Sequence, residues 1–274
     1  RSVLASVGTL ALAGVAGCAG GDSDAETAAT SDPETATATA GEPTESATER
    51  APSVDWSDVG AFRTWLTEYS TLPSSNARFD YQSVGVDDVV GTGRTSFLDV
   101  AVEDVDGVLF QSGNIFLLGE FDADALAEEV AASENHEVTG EHAGYTTGEA
   151  TETGSEVAVG DDAVLAGSDL AVYIDTHRGE RERLEESDPV FTRIFQRLPD
   201  RGLVTAQYGP PTGGEIDTEA IYAWGHSMAS LDADTGTWVY ALEPDTSDET
   251  VAELEADLAA GALVEEVSDR SEDG

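Results

Sequence analysis

The chain contains no lysine: its 12 basic residues are all arginine, set against 56 acidic residues for a formal net charge of −44 over 274 residues. Without lysine there is no Walker A phosphate loop, no Schiff-base mechanism and no lysine nucleophile. A polyanion of this density with no basic patch repels phosphate backbones and anionic headgroups, which excludes nucleic acid as a partner and any polybasic membrane contact. Cysteine is nearly as scarce. The single one, Cys18, leaves no pair for a disulfide and no thiol set for a metal centre, so stability must come from packing. Hydrophobic residues at 40% are nevertheless enough for a globular core.

The apolar residues are unevenly spread. After Arg1-Ser2 comes one apolar block, 3–15, broken only by small residues and ending in Val15-Ala16-Gly17-Cys18. A cationic start, a short apolar stretch and small residues before a cysteine form an export signal, and the block is too short to span a bilayer as a mature helix. Val15-Ala16-Gly17-Cys18 resembles a lipobox, which implies cleavage before Cys18 and a diacylglyceryl group on its thiol. Residues 1–17 are then a signal peptide, and the mature protein is anchored through Cys18 to the extracytoplasmic face of the cell membrane. Arg1 also fits the second position of a twin-arginine pair. Residues 19–53 contain no Val, Ile, Leu, Met, Phe, Trp or Tyr, so 18–53 reads as a disordered tether. Such a chain reaches about 30 Å.

Complete absence of Lys, excess Asp and Glu, and abundant Ala, Gly, Val and Thr resemble the proteins of extremely halophilic archaea. Electrostatics agrees, because the Debye length falls from about 8 Å at ordinary ionic strength to about 3 Å in molar salt. The fold is therefore expected to require salt.

From residue 54 onward, periodicity and punctuation imply an α+β domain with a mixed or antiparallel sheet and helices packed on it. A helix is expected at 57–69, a strand at 78–84, a helical turn at 86–90 and a strand at 97–102. A hairpin of 108–111 and 114–121 turns at Ser112-Gly113, followed by a helix capped by Asp122 and a strand from Glu137. A hairpin over 156–166 turns at Asp161-Asp162 and precedes a helix capped by Ser168. A second series starts with Asp188 capping a helix with Pro189 at its first position. Strands at 203–208, 220–231 and 237–243 follow, then a helix with Thr246 and Glu249 as capping box, and a strand at 263–267.

Both series run in the order helix ending in Leu-Pro, strand, hairpin, capped helix, strand. Two tandem copies of one unit would explain this, as would chance recurrence of common elements. The copies would be 54–150 and 188–270, with a connecting hairpin and helix at 151–187 and a disordered tail at 271–274. They are expected to share one sheet, with Leu109, Ile115 and Leu117 beside the first acid-capped helix and Tyr222, Trp224, Val239 and Ala241 beside the last. The stretch from Gly119-Glu120-Phe121-Asp122 through that middle helix resembles uncharacterised secreted and lipid-anchored haloarchaeal proteins. It is also weakly similar to a bacterial family of unknown function, and it carries no catalytic motif.

Three constellations invite a chemical reading. Gly225-His226-Ser227-Met228-Ala229 resembles the nucleophile elbow of α/β-hydrolases, but a turn follows instead of a helix and no His occurs after Ser227. A strand with His226 and Ser227 on opposite faces is expected instead. His136 and His142, with Glu137 and Glu141, offer a weak zinc pattern that lacks a close third ligand. Asp232, Asp234 and Gly236 open like a calcium loop and Glu243 stands twelfth, yet Thr237 occupies the sixth place where the turn needs glycine. Trp56, Trp65, Trp224 and Trp238 read as core or rim. No catalytic, cofactor-binding or metal-binding residue is assigned, and no cofactor is expected. The leading reading is a lipid-anchored envelope protein with a non-catalytic domain for a small ligand or an envelope protein; the alternatives are a serine hydrolase using Ser227 and the solute-binding component of a transporter.

Overall fold

The structure is a computed structural model that describes residues 60–68, 78–198, 202–211 and 219–260. The export block, lipobox and tether, the expected last strand at 263–267 and the tail lie outside the described residues, as does Trp56. The described elements belong to one compact unit, Arg50–Gly274.

A 3-10 helix, Ala61–Trp65, precedes β1 (Arg78–Gln82). The hairpin of β2 (Val105–Gln111) and β3 (Asn114–Gly119) turns where expected, with Ser112 and Gly113 at φ of 52° and 80°, the positive pair that matches the twist of the flanking strands. Helix α1 (Ala123–Ala132) starts at Asp122, whose carboxylate accepts from the Ala125 N–H at 3.1 Å. Strands β4 (His136–His142), β5 (Tyr145–Ala150), β6 (Glu156–Val159) and β7 (Ala163–Gly167) follow, then helices α2 (Leu170–Arg178), α3 (Leu184–Ser187) and α4 (Pro189–Arg197). Asp188 caps α4 by accepting from the Val190 N–H at 3.0 Å. The chain continues through β8 (Leu203–Tyr208), β9 (Ile221–Met228), β10 (Thr237–Leu242) and α5 (Asp248–Ala260).

All ten strands form one antiparallel sheet in the order β10-β9-β8-β1-β2-β3-β7-β6-β5-β4, so the protein is α+β with helices packed on a single sheet. One face buries Phe79, Leu109, Phe116, Val204, Ala206 and Ala223 against Phe62 and Trp65 of the 3-10 helix, Tyr173 and Ile174 of α2, and Phe191, Ile194 and Phe195 of α4. The other face buries Val108, Leu117, Val157, Val159 and Val164 against Leu126 and Val130 of α1 and the loop residues Val90 and Leu98.

The meanders β1-β2-β3 and β8-β9-β10 share order and direction. They meet at the antiparallel β1/β8 pair centred on Asp80 and Thr205, and the helices that precede them, Ala61–Trp65 and α4, lie in the same apolar cluster. That is the relation a two-fold axis through the Asp80/Thr205 pair would give.

Several local expectations are corrected. Residues 97–102 form no strand: the Asp99 N–H is taken by Glu129 of α1 at 2.7 Å and Leu98 is drawn into the α1 cluster. The first helix is a five-residue 3-10 helix because the chain extends at Leu66 and Thr67 pairs with Arg183. Ser168 does not cap α2. Asp169 holds that position in the left-handed region, and the Leu170 N–H finds its acceptor in Glu156 at 2.8 Å. In α5 the capping acceptor is Ser247, which takes the Thr250 N–H at 3.2 Å, while the Thr246 hydroxyl turns back to Glu243. The expected inner faces also mixed sides. Leu109 pairs with Phe116 and joins the α4 side, opposite Ile115 and Leu117, and Val239 and Ala241 pack against the same α4 cluster.

Candidate binding surface

The constellations singled out in the sequence come apart in space. Ser227 has 0% exposure and its hydroxyl has no hydrogen-bond partner. It shares a strand face with Gly225, where an added Cβ would lie 2.4 Å from Ile194 and 3.1 Å from Leu198. Gly225 is thus a packing glycine that lets α4 approach β9, and Ser227 lies beneath this layer with no imidazole in reach. His226 points to the opposite face and meets Trp238, with ring centroids 4.4 Å apart.

His136 and His142 stand at the two ends of β4, about 20 Å apart at the rise of an extended strand. His136 stacks on Phe97 and bonds Ser133, while His142 bonds Asp175 at 2.6 Å. The strand β10 separates the 232–236 turn from Glu243, so those carboxylates form no loop site. Among the described residues no group of His, Cys, Asp and Glu is placed to hold a metal ion.

A polar network escaped the sequence reading. Asp162, at the β6–β7 turn, accepts from the Tyr145 hydroxyl, bonds His177 Nε2 at 2.9 Å, and accepts from Arg178 at 3.2 Å; the far nitrogen of His177 meets Thr64 Oγ1 at 2.8 Å. Burial would raise the Asp162 pKa, but the hydrogen bonds from His177 and Tyr145 and the positive charge of Arg178 hold it at about 2. Its contribution to stability is therefore present above the ordinary carboxylate range and lost as pH falls toward 2. The line of hydroxyl, imidazole and carboxylate has the composition of a relay, yet Trp65 lies stacked on the imidazole at 4.0 Å and covers it. The network ties the 3-10 helix, the β6–β7 turn and α2 together.

Asp188 does similar work at the start of α4. Besides capping α4 it accepts from the hydroxyls of Tyr208 and Tyr222, at 2.9 and 2.7 Å, on the wall of an open cleft of about 730 Å³. Burial and the Asp188 charge push the Tyr222 phenol well above its usual range.

The most distinctive surface lies on the sheet face opposite α4, over β1, β8, β9 and β10. Antiparallel register sets His226 against Trp238 and Trp224 against Tyr240, so alternate residues of two strands build one aromatic patch. Trp224 and Trp238 are 5.1 Å apart, and Tyr240 lies parallel to Trp238 at 5.9 Å and 9°. Trp238 is 46% exposed, whereas Trp224 is only 4% exposed and its indole N–H has no acceptor. Beside them opens a recess of about 180 Å³ lined by Arg78, Thr205, Pro211, Trp224, His226 and Trp238. Asp80 holds its rim, accepting from Arg78 at 2.9 and 2.7 Å and from the Thr205 hydroxyl at 2.7 Å. The tryptophans were visible in sequence as core or rim; their meeting with Arg78 and Thr205 follows only from the β1/β8 pairing.

Among the described residues no helix is long and apolar enough to cross a membrane. No family model matches the chain, and no curated protein matches it. Among solved structures, crystal form I of TP0453 is 10% identical, with 74% of this chain and 87% of that chain covered at a TM-score of 0.42. Crystal form III of TP0453 is 8% identical, with 71% and 84% covered, also at 0.42. A likeness this distant says nothing of function.

Proposed function

We propose that the chain is a lipid-anchored protein of the extracytoplasmic face of the cell membrane, adapted to high salt, whose α+β domain binds a small ligand or an envelope protein and performs no catalysis. The lipobox ending at Cys18 and the apolar-free tether support the anchor, and the lysine-free acidic composition supports the salt adaptation. The haloarchaeal secreted and lipid-anchored proteins that the middle of the chain resembles fit the same description. The observation that carries the binding reading is the open aromatic recess with an unpartnered Trp224 N–H.

Ser227 carries the hydrolase alternative, and its burial with neither base nor substrate access speaks against it. A solute-binding component would be expected to show repeated strand-helix-strand units with parallel strands, whereas every strand pairing among the described residues is antiparallel.

Labelling of the full chain in molar KCl with a fluorophosphonate probe tests the binding reading against the hydrolase. No adduct at Ser227 is expected, and Ser227→Ala should melt within about 1 kcal/mol of wild type or slightly higher, since it removes a buried hydroxyl that nothing satisfies. An adduct on Ser227 that disappears in the variant would overturn the proposal.

A further inference from the structure

We infer that the recess between β1, β8, β9 and β10 is a saccharide-binding site for a neutral sugar ring, stacked on Trp238 and hydrogen-bonded by Trp224, His226, Thr205 and the Arg78–Asp80 pair. This deepens the binding reading and rests on it. Trp238 is 46% exposed on a residue that lines the recess, and Trp224, His226 and Tyr240 pack around it. A pyranose presents C–H groups on its face and hydroxyls around its edge, so it matches an aromatic platform ringed by polar groups.

The polar groups specify the ligand further. The Trp224 indole N–H is a pure donor, buried, without an acceptor, on a residue that lines the recess; burying such a group is costly unless something accepts from it. A hydroxyl oxygen does so. Burial lowers the His226 pKa, which leaves the ring neutral near pH 7 with one donor and one acceptor nitrogen, a pairing that suits a group able both to give and to receive a hydrogen bond. Arg78 and Asp80 form a planar, mutually neutralised pair, so the recess carries donors and acceptors without net attraction for an ion. The −44 charge of the chain disfavours anionic ligands in general. A volume of about 180 Å³ is below the roughly 300–1,000 Å³ of drug-sized sites and suits one ring, with the rest of a longer glycan running over the exposed strand edge.

Tryptophan fluorescence of the full chain in molar KCl, titrated with methyl glycosides of glucose, galactose, mannose and N-acetylglucosamine and with short oligosaccharides of the same sugars, is the test. A saturable change with at least one neutral glycoside is expected. Tighter binding of the oligosaccharide identifies a glycan chain as the ligand, and equal binding identifies a free sugar; either supports the site. Trp238→Ala should weaken binding by about tenfold or more, and Trp224→Phe, which keeps the ring and removes the N–H, by about tenfold with an unchanged melting temperature. The absence of a saturable response to every glycoside, or binding that survives Trp238→Ala, would overturn the saccharide assignment. Fluorophosphonate labelling judges the broader binding reading separately.

Discussion

Dilution from molar KCl to tens of millimolar salt is expected to unfold the domain. Twelve arginines cannot neutralise 56 carboxylates, and their repulsion grows as the Debye length rises from about 3 Å at 1 M to about 30 Å at 0.01 M. The ion pairs among the described residues give little compensation. Arg78–Asp80 and Arg178–Asp162 are half-exposed and worth little each, and Arg63–Glu185 is buried in a setting where burial raises the Glu185 pKa. Circular dichroism along the salt series should show the melting temperature falling by far more than the few degrees that about 1 kcal/mol moves in a domain of this size. An unchanged melting temperature across the series would contradict the proposed adaptation.

Substitution of Gly225 is expected to be the most damaging single change in the second meander. A Cβ there already overlaps Ile194 and crowds Leu198, and the two further methyls of valine would push α4 off the sheet on which Phe191, Ile194 and Phe195 are buried. Gly225→Val should cost about 3 kcal/mol, at the upper end of overpacking effects. Ile194→Ala costs stability on its own by leaving a cavity, yet combined with Gly225→Val it should recover part of the loss, because the deleted side chain makes room for the added one. Chemical denaturation of the two single variants and the double variant measures that coupling. Strictly additive losses would show that α4 does not pack on Gly225 as described.

What the sequence made legible were features coded locally. Ser112-Gly113, Asp122, and Asp188 with Pro189 each announce a turn or helix start through backbone chemistry confined to a few residues, and each is found in place. Strand β5 was missed because the β4–β5 hairpin sits at the sheet edge: β4 is almost wholly exposed on both faces, which erases the alternation that marks a strand. The turn signal Ala143-Gly144, with φ of 48° and 90°, was there to be read. The aromatic recess was illegible for another reason. Eight residues separate β9 from β10, too many for a tight turn to set the register, and without the Trp238↔His226 pairing the faces of the hairpin cannot be assigned. Arg78 and Thr205, more than a hundred positions apart, meet only through the β1/β8 junction. The network around Asp162 is equally non-local, since Thr64, Tyr145 and His177 come from three separate elements.

Mass analysis of the N-terminal peptide of the protein isolated from its native membrane tests the central claim, an anchored extracytoplasmic binding domain, most directly. The expected result is a peptide that begins at Cys18, lacks residues 1–17 and carries a diacylglyceryl group on the thiol, and a Cys18→Ser variant that leaves the detergent phase. A free Cys18 thiol in a peptide still joined to Gly17, or a Cys18→Ser variant that stays with the membrane, would contradict it.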